Sequence, residues 1–233
     1  MTTKRIASLA MAAALAVSAT GLGLAQQLQQ RFDMIVRQDF FAGFAGDKEA
    51  FARAMKVTED MLAKDPNHAA ARVWHGAGIL ASSGQAFQKG DSQNGMKLWQ
   101  QGLDEMEQAV RQAPNNVAVV IPRGATLITA TRSTPPDFGR AALETGVSDF
   151  ERVLKIQEPQ FSQLGLHPRG ELLTGLADGW SRLGNNDKAR EYFERIATEL
   201  KGSVYEQKAR AWLENKPEAK TPAFFNCSGC HVK

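Results

Sequence analysis

The chain predicts an all-α fold, a run of paired amphipathic helices that ends in an extended arm. Three observations carry this. Long stretches are rich in Ala, Leu, Gln, Glu, Lys and Arg, the residues that lose least on entering a helix. Apolar residues recur at helical spacing, as in Leu173, Leu176, Ala177 and Trp180. Helix stops with proline recur at Lys64-Asp65-Pro66-Asn67, Gln112-Ala113-Pro114-Asn115 and, less cleanly, Gln157-Glu158-Pro159. Proline cannot continue the preceding helix, while Asn and Asp cap the next, so each stop reads as a helix-to-helix junction.

The first segment, residues 1–25, has the order of a secretory signal peptide. Lys4 and Arg5 lead into a small, apolar stretch from Ile6 to Leu24, and Gly23-Leu24-Ala25 precedes the polar Gln26-Gln27. Cleavage is expected after Ala25. Left uncleaved, about 20 such residues are long enough to span a bilayer, although Ser8, Ser18, Thr20, Gly21 and Gly23 keep the segment mildly hydrophobic. Loss of Lys4 and Arg5 lowers the formal charge from +3 to +1, which gives no electrostatic footprint for nucleic acid or an anionic surface. The expected location is outside the cytoplasm, the bacterial periplasm first. Alternating charges from Lys188 to Arg195 read as a solvated helix face.

Residues 26–215 form the body. Its pattern predicts helices at 27–45, 47–64, 68–82, 93–113, 116–131, 138–156, 169–183, 186–201 and 203–214. Between Gly170 and Ser203, one apolar stripe (Leu173, Leu176, Ala177, Trp180) is followed by the turn Gly184-Asn185-Asn186-Asp187 and a facing stripe (Ala189, Phe193, Ile196). This segment resembles a tetratricopeptide repeat, with Leu173, Ala177, Trp180, Gly184, Ala189 and Phe193 on that family's packing positions. Earlier units resemble it less closely. Ala54 precedes Pro66, Gly76 follows it, Ala109 precedes Pro114, and Gly124 repeats the role of Gly76. The prolines are 48 and 45 positions apart, against a family period of about 34, so insertions are expected at Ser82–Gly95 and Arg132–Gly139. The resemblance implies a solenoid of three to four irregular helix pairs, whose concave surface docks a protein or peptide. Tyr205, Ala209 and Trp212 would place the last helix as a cap.

Residues 216–233 form the arm. Pro217 and Pro222 break helical periodicity, and 18 residues span at most about 60 Å. It ends Phe224-Phe225-Asn226-Cys227-Ser228-Gly229-Cys230-His231-Val232-Lys233. Cys-x-x-Cys-His is the attachment signature of c-type haem: two thiols form thioethers with the haem vinyl groups, and the adjacent histidine becomes the proximal iron ligand. The resemblance to cytochromes c covers this motif alone. It implies one covalent haem c on Cys227 and Cys230, with His231 on the iron and Phe224 and Phe225 as candidate packing against the macrocycle. Three other readings share these residues. A redox dithiol would call for a strand–helix framework, a structural zinc site for a fourth ligand, and a short disulfide would leave His231 without a role.

For a sixth iron ligand the exported chain offers His68, His75, His167 and five methionines, Met34, Met55, Met61, Met96 and Met106. His75, among Val73, Trp74 and Ile79, reads as a packed core histidine and His68 as a solvated one. His167, immediately before Pro168 in a loop, has the freest geometry. The expected activity is electron transfer or haem-based sensing, with a redox partner protein and a second copy of the chain as candidate partners. The alternative is an interaction scaffold whose terminal thiols carry no haem. No Ser-His-Asp arrangement, phosphate loop or paired-carboxylate motif indicates a classical enzyme.

Overall fold

A computed structural model describes residues 32–216 and Ala219. The leader expected at residues 1–25 and the terminal motif from Phe224 to His231 lie outside the described residues. Among the described residues there are nine α-helices and no strands, so the all-α expectation holds. The helices are α1 (Asp33–Phe44), α2 (Lys48–Lys64), α3 (Ala69–Gln88), α4 (Ser92–Gln112), α5 (Val117–Ala130), α6 (Pro136–Gln157), α7 (Leu166–Arg182), α8 (Asn186–Glu199) and α9 (Val204–Leu213). Short 3₁₀ turns, Thr131–Ser133 and Glu158–Gln163, follow α5 and α6. None of the described helices is long and apolar enough to cross a membrane.

Side-chain caps close several helix starts, but at the proline stops the cap falls on His68 and Asn116, not on Asn67 or Asn115, and Glu158-Pro159 leads into a 3₁₀ turn. Asp47, Asp91, Asn116, Asn185 and Ser203 each accept a backbone N–H of the helix they precede, satisfying donors that a helix start leaves orphaned. His68 does the same for α3: its Nδ1 accepts from Ala71 N at 3.0 Å. It is 7% exposed and tilted against Phe32, so the expectation of a solvated histidine is corrected. Short loops make successive helices antiparallel. They pack as α1 on α2, α3 on α4, α5 on α6 and α7 on α8, with α9 against α8. Between pairs the contacts also repeat: α1, α3, α5 and α7 touch in series, and α2, α4 and α6 each touch the first helix of the next pair.

Two of these hairpins cross at glycines. A Cβ on Gly102 would stand 2.8 Å from Gly76 O and from Leu80 N, and one on Gly146 would stand 3.1 Å from Gly124 O. Beside Gly76 lie Met106 and Glu105; beside Gly124 lie Phe150 and Asp149. The two crossings therefore match residue for residue. In the α7/α8 pair Ala177 and Ala189 stand at the corresponding sequence positions, both 0% exposed. Trp212 of α9 closes that end, stacked 4.4 Å from Phe193 with Tyr205 and Ala209 buried.

Unequal hairpin lengths are absorbed at the hairpin tips. Gly76 and Gly102 are 26 positions apart and Gly124 and Gly146 are 22 apart, against 12 for Ala177 and Ala189. The surplus of 14 in the first case divides evenly, with seven residues added to α3 and seven to α4 and a loop of unchanged length. Seven residues make about two turns, so the pair grows without rotating its apolar stripe. Ser82–Gly95, expected as an insert, is thus mostly helix, and Phe87 packs edge-on against Phe138. In the second case α6 takes seven of the ten extra residues, starting at Pro136, whose missing N–H costs nothing in a first turn.

Glycine 102 and glycine 84 should respond oppositely to alanine. Gly102→Ala drives a methyl into the backbone of α3 and is expected to cost about 1–3 kcal/mol. Gly84, with nothing within 4 Å of its virtual Cβ, should gain about 0.5–1 kcal/mol as alanine. Urea denaturation midpoints at unchanged m-value measure both.

Candidate functional site

The residues expected to carry the chemistry, Cys227, Cys230 and His231 with Phe224 and Phe225, lie outside the described residues, so the site is approached from the body. The last turn of the body fixes where the arm begins. After α9, Asn215 adopts the left-handed conformation (φ 57°), and Lys216 N donates to Ala211 O at 2.9 Å. Ala219 N donates to Lys216 O at 3.1 Å. Ala219 is 6% exposed and forms part of the wall of a cleft of about 450 Å³.

That cleft lies where the start of α6, the end of α7 and α9 meet. Its walls include Thr131, Arg132, Arg140, Leu143, Leu183 and Trp212. On its floor two guanidinium groups share one carboxylate. Arg132 donates to Asp178 Oδ2 at 2.9 and 3.2 Å, and Arg182 reaches the same oxygen at 3.2 Å. Arg182 also donates to Ile128 O at 2.8 Å and to Thr131 Oγ1 at 2.6 Å, tying α7 to the end of α5. Burial pushes the Arg182 pKa down; the attraction of Asp178 opposes this and the positive charge of Arg132 adds to it. At the rim, Asp137 and Arg140 are of opposite sign. Among the described residues the floor therefore holds one more positive than negative charge. Sequence reading missed it, although Asp178 and Arg182 stand at i,i+4 in a helix otherwise apolar at Leu172, Leu173, Leu176 and Ala177, and a buried carboxylate in such a run calls for a cation.

The candidate sixth ligands are scattered. His167 is the second residue of α7, so the expectation of a loop position is corrected. Its Nδ1 lies 2.8 Å from Tyr205 Oη and its Nε2 3.3 Å from Glu171, so both ring nitrogens are engaged. His75 is only part-buried, with Nδ1 2.6 Å from Glu105 Oε2 and Nε2 3.9 Å from Glu59, so the expectation of a core histidine holds only in part. Met106 is 0% exposed, whereas Met34 and Met96 are about half exposed. No group of three or more His, Cys, Asp or Glu side chains suited to a metal occurs among the described residues.

A second ion-pair system is structural. Arg123 of α5 meets Asp149 of α6 through two hydrogen bonds, 2.6 and 2.7 Å, and also pairs with Glu107 of α4. Burial disfavours the Arg123 charge, but the bonds to Asp149 and its charge outweigh that, and the pKa is raised. The charge run from Lys188 to Arg195 is more than a solvated face. Lys188 sits 3.9 Å over the Trp180 ring and 3.3 Å from Glu151. Arg195 grips Glu158 at 2.8 and 3.1 Å and covers Phe161.

Compared with protein-family models, with curated proteins and with solved structures, the chain finds no match in any of the three.

Removing Asp178 would leave two part-buried guanidiniums facing each other. Asp178→Ala is expected to cost about 3–5 kcal/mol. Arg132→Gln in the same background should restore part of that loss, and a double-mutant cycle in denaturant reads the coupling.

Proposed function

We propose that the chain is an exported c-type haem protein that transfers electrons or senses a ligand at its haem, with a tetratricopeptide-like body that docks the partner. The sequence Cys227-Ser228-Gly229-Cys230-His231 carries the reading. Its donor set fits the group: two thiols at the spacing of the haem vinyls and an imidazole next to the second. Cys227 and Cys230 would hold the group as thioethers, each S–H adding across one vinyl with no net oxidation or reduction. Ser228 and Gly229 keep the loop between the thiols small, and His231 would offer the iron an imidazole nitrogen. When bound, haem supplies one-electron exchange and an iron site for small ligands.

The leader pattern of residues 1–25 agrees, because haem is attached in this manner on exported chains. Matching glycine crossings in successive hairpins, the recurring contacts between pairs and the Trp212 cap support a repeat solenoid. The body then provides a surface for the redox partner, and reaction chemistry belongs to the arm. With both nitrogens of His167 engaged by Tyr205 and Glu171, the reading favours an iron ligated on its second face by something other than His167.

Mature protein produced with working haem-attachment machinery should be coloured and should keep its colour on a denaturing gel. The Cys227→Ser/Cys230→Ser variant should lose it. Colourless mature protein carrying free or oxidised thiols overturns the proposal. His167→Ala should leave the visible spectrum of the loaded protein unchanged in both oxidation states.

A further inference from the structure

The cleft beside Ala219 combines three properties that rarely coincide on a helical surface. It has an apolar wall of Leu143, Leu183 and Trp212, and a floor where Arg132 and Arg182 share the single carboxylate of Asp178. Its volume of about 450 Å³ falls in the ~300–1,000 Å³ range of small-molecule sites. The third property is its position at the root of the arm. Ala219 is part of its wall, and Cys227 follows eight residues later, within at most about 28 Å of extended chain.

We propose that this cleft is the seat of the haem held by Cys227 and Cys230, with the macrocycle against Leu183 and Trp212 and its propionate carboxylates on Arg132 and Arg182. The inference rests on the haem reading above. The chemistry matches on both counts. Haem is a flat apolar ring bearing two carboxylates, and guanidinium is the side chain best shaped to bind a carboxylate through paired hydrogen bonds. Among the described residues Asp178 answers only one of the two guanidinium charges, and a propionate would balance the other. One face of Trp212 is stacked on Phe193, and the Arg190 guanidinium lies 5.9 Å from the centroid of its ring, so the ring is already held in place.

Two other surfaces are less suited. The exposed apolar residues of α1, Met34 and Ile35, lie at the other end of the helix series from the arm. The region of His167 is 15 positions along α7 from Arg182, about 22 Å at 1.5 Å per residue, and its imidazole is already bonded. A haem in the cleft is therefore out of reach of His167.

Nuclear magnetic resonance on the full mature chain tests the seat. The indole N–H of Trp212 and the methyls of Leu183 should shift between the haem-loaded protein and the Cys227→Ser/Cys230→Ser variant, while the Met34 methyl should not. Covalent haem with unshifted Trp212 and Leu183 overturns the inference and leaves the haem reading intact. Absence of covalent haem overturns both. A redox titration of Arg132→Gln, checked for native circular dichroism, tests the propionate contact. Losing a positive charge near the haem disfavours the reduced form, and the reduction equilibrium constant should fall roughly tenfold, ~59 mV for one electron. An unchanged potential overturns the assignment of Arg132.

Discussion

The close approach of backbone to backbone at Gly76/Gly102 and Gly124/Gly146 sets the geometry on which the rest of the body depends. With no side chain on either helix at the crossing, carbonyl and Cα face each other across each hairpin. The flanking residues are then held at fixed positions: Met106 and Phe150 slide in beside the glycines, while Glu105 and Asp149 come opposite His75 and Arg123. The acid–base pairs are thus a consequence of the crossing. They also select its register, because sliding one helix by a turn would leave Asp149 buried without its cation.

The same logic explains why the hairpins differ in length without losing their likeness. Additions come mainly as two-turn extensions of individual helices, and an extension of about two turns returns the apolar stripe to nearly its former direction. The longer tips then have room to make contacts of their own. Phe87 at the end of α3 and Trp99 of α4 meet Phe138 at the start of α6, so the insertions link neighbouring hairpins. At the C-terminal end, α9 covers the last pair. The cleft where the arm begins is bounded by that cap, by α7 and by the turn after α5.

Much of this is legible in the chain. The proline stops and the Asp, Asn and Ser residues before five of the nine described helices mark junctions, because capping is local chemistry between a side chain and the next three residues. Cys-x-x-Cys-His is legible for the same reason. Ser82–Gly95 was not legible as helix, since its Gly, Ser and Gln composition matches a loop, and packing of Ala86 and Phe87 overrides a weak propensity. Nor was the charge run from Lys188 to Arg195, whose partners Glu151 and Glu158 come from another helix and the turn that follows it.

The sequence by itself determined the all-α class and the order of the described helices, and it singles out the Cys227-Ser228-Gly229-Cys230-His231 motif, because each of these depends on periodicity or spacing within a short stretch. The tertiary structure decided which residues meet across the chain. It put Gly76 on Gly102, set two arginines 50 positions apart against one aspartate, engaged both nitrogens of His167, and brought Ala219 into the wall of the same cleft. Such meetings depend on how the helices cross, and a crossing is fixed by the fit of two surfaces, which no local pattern encodes.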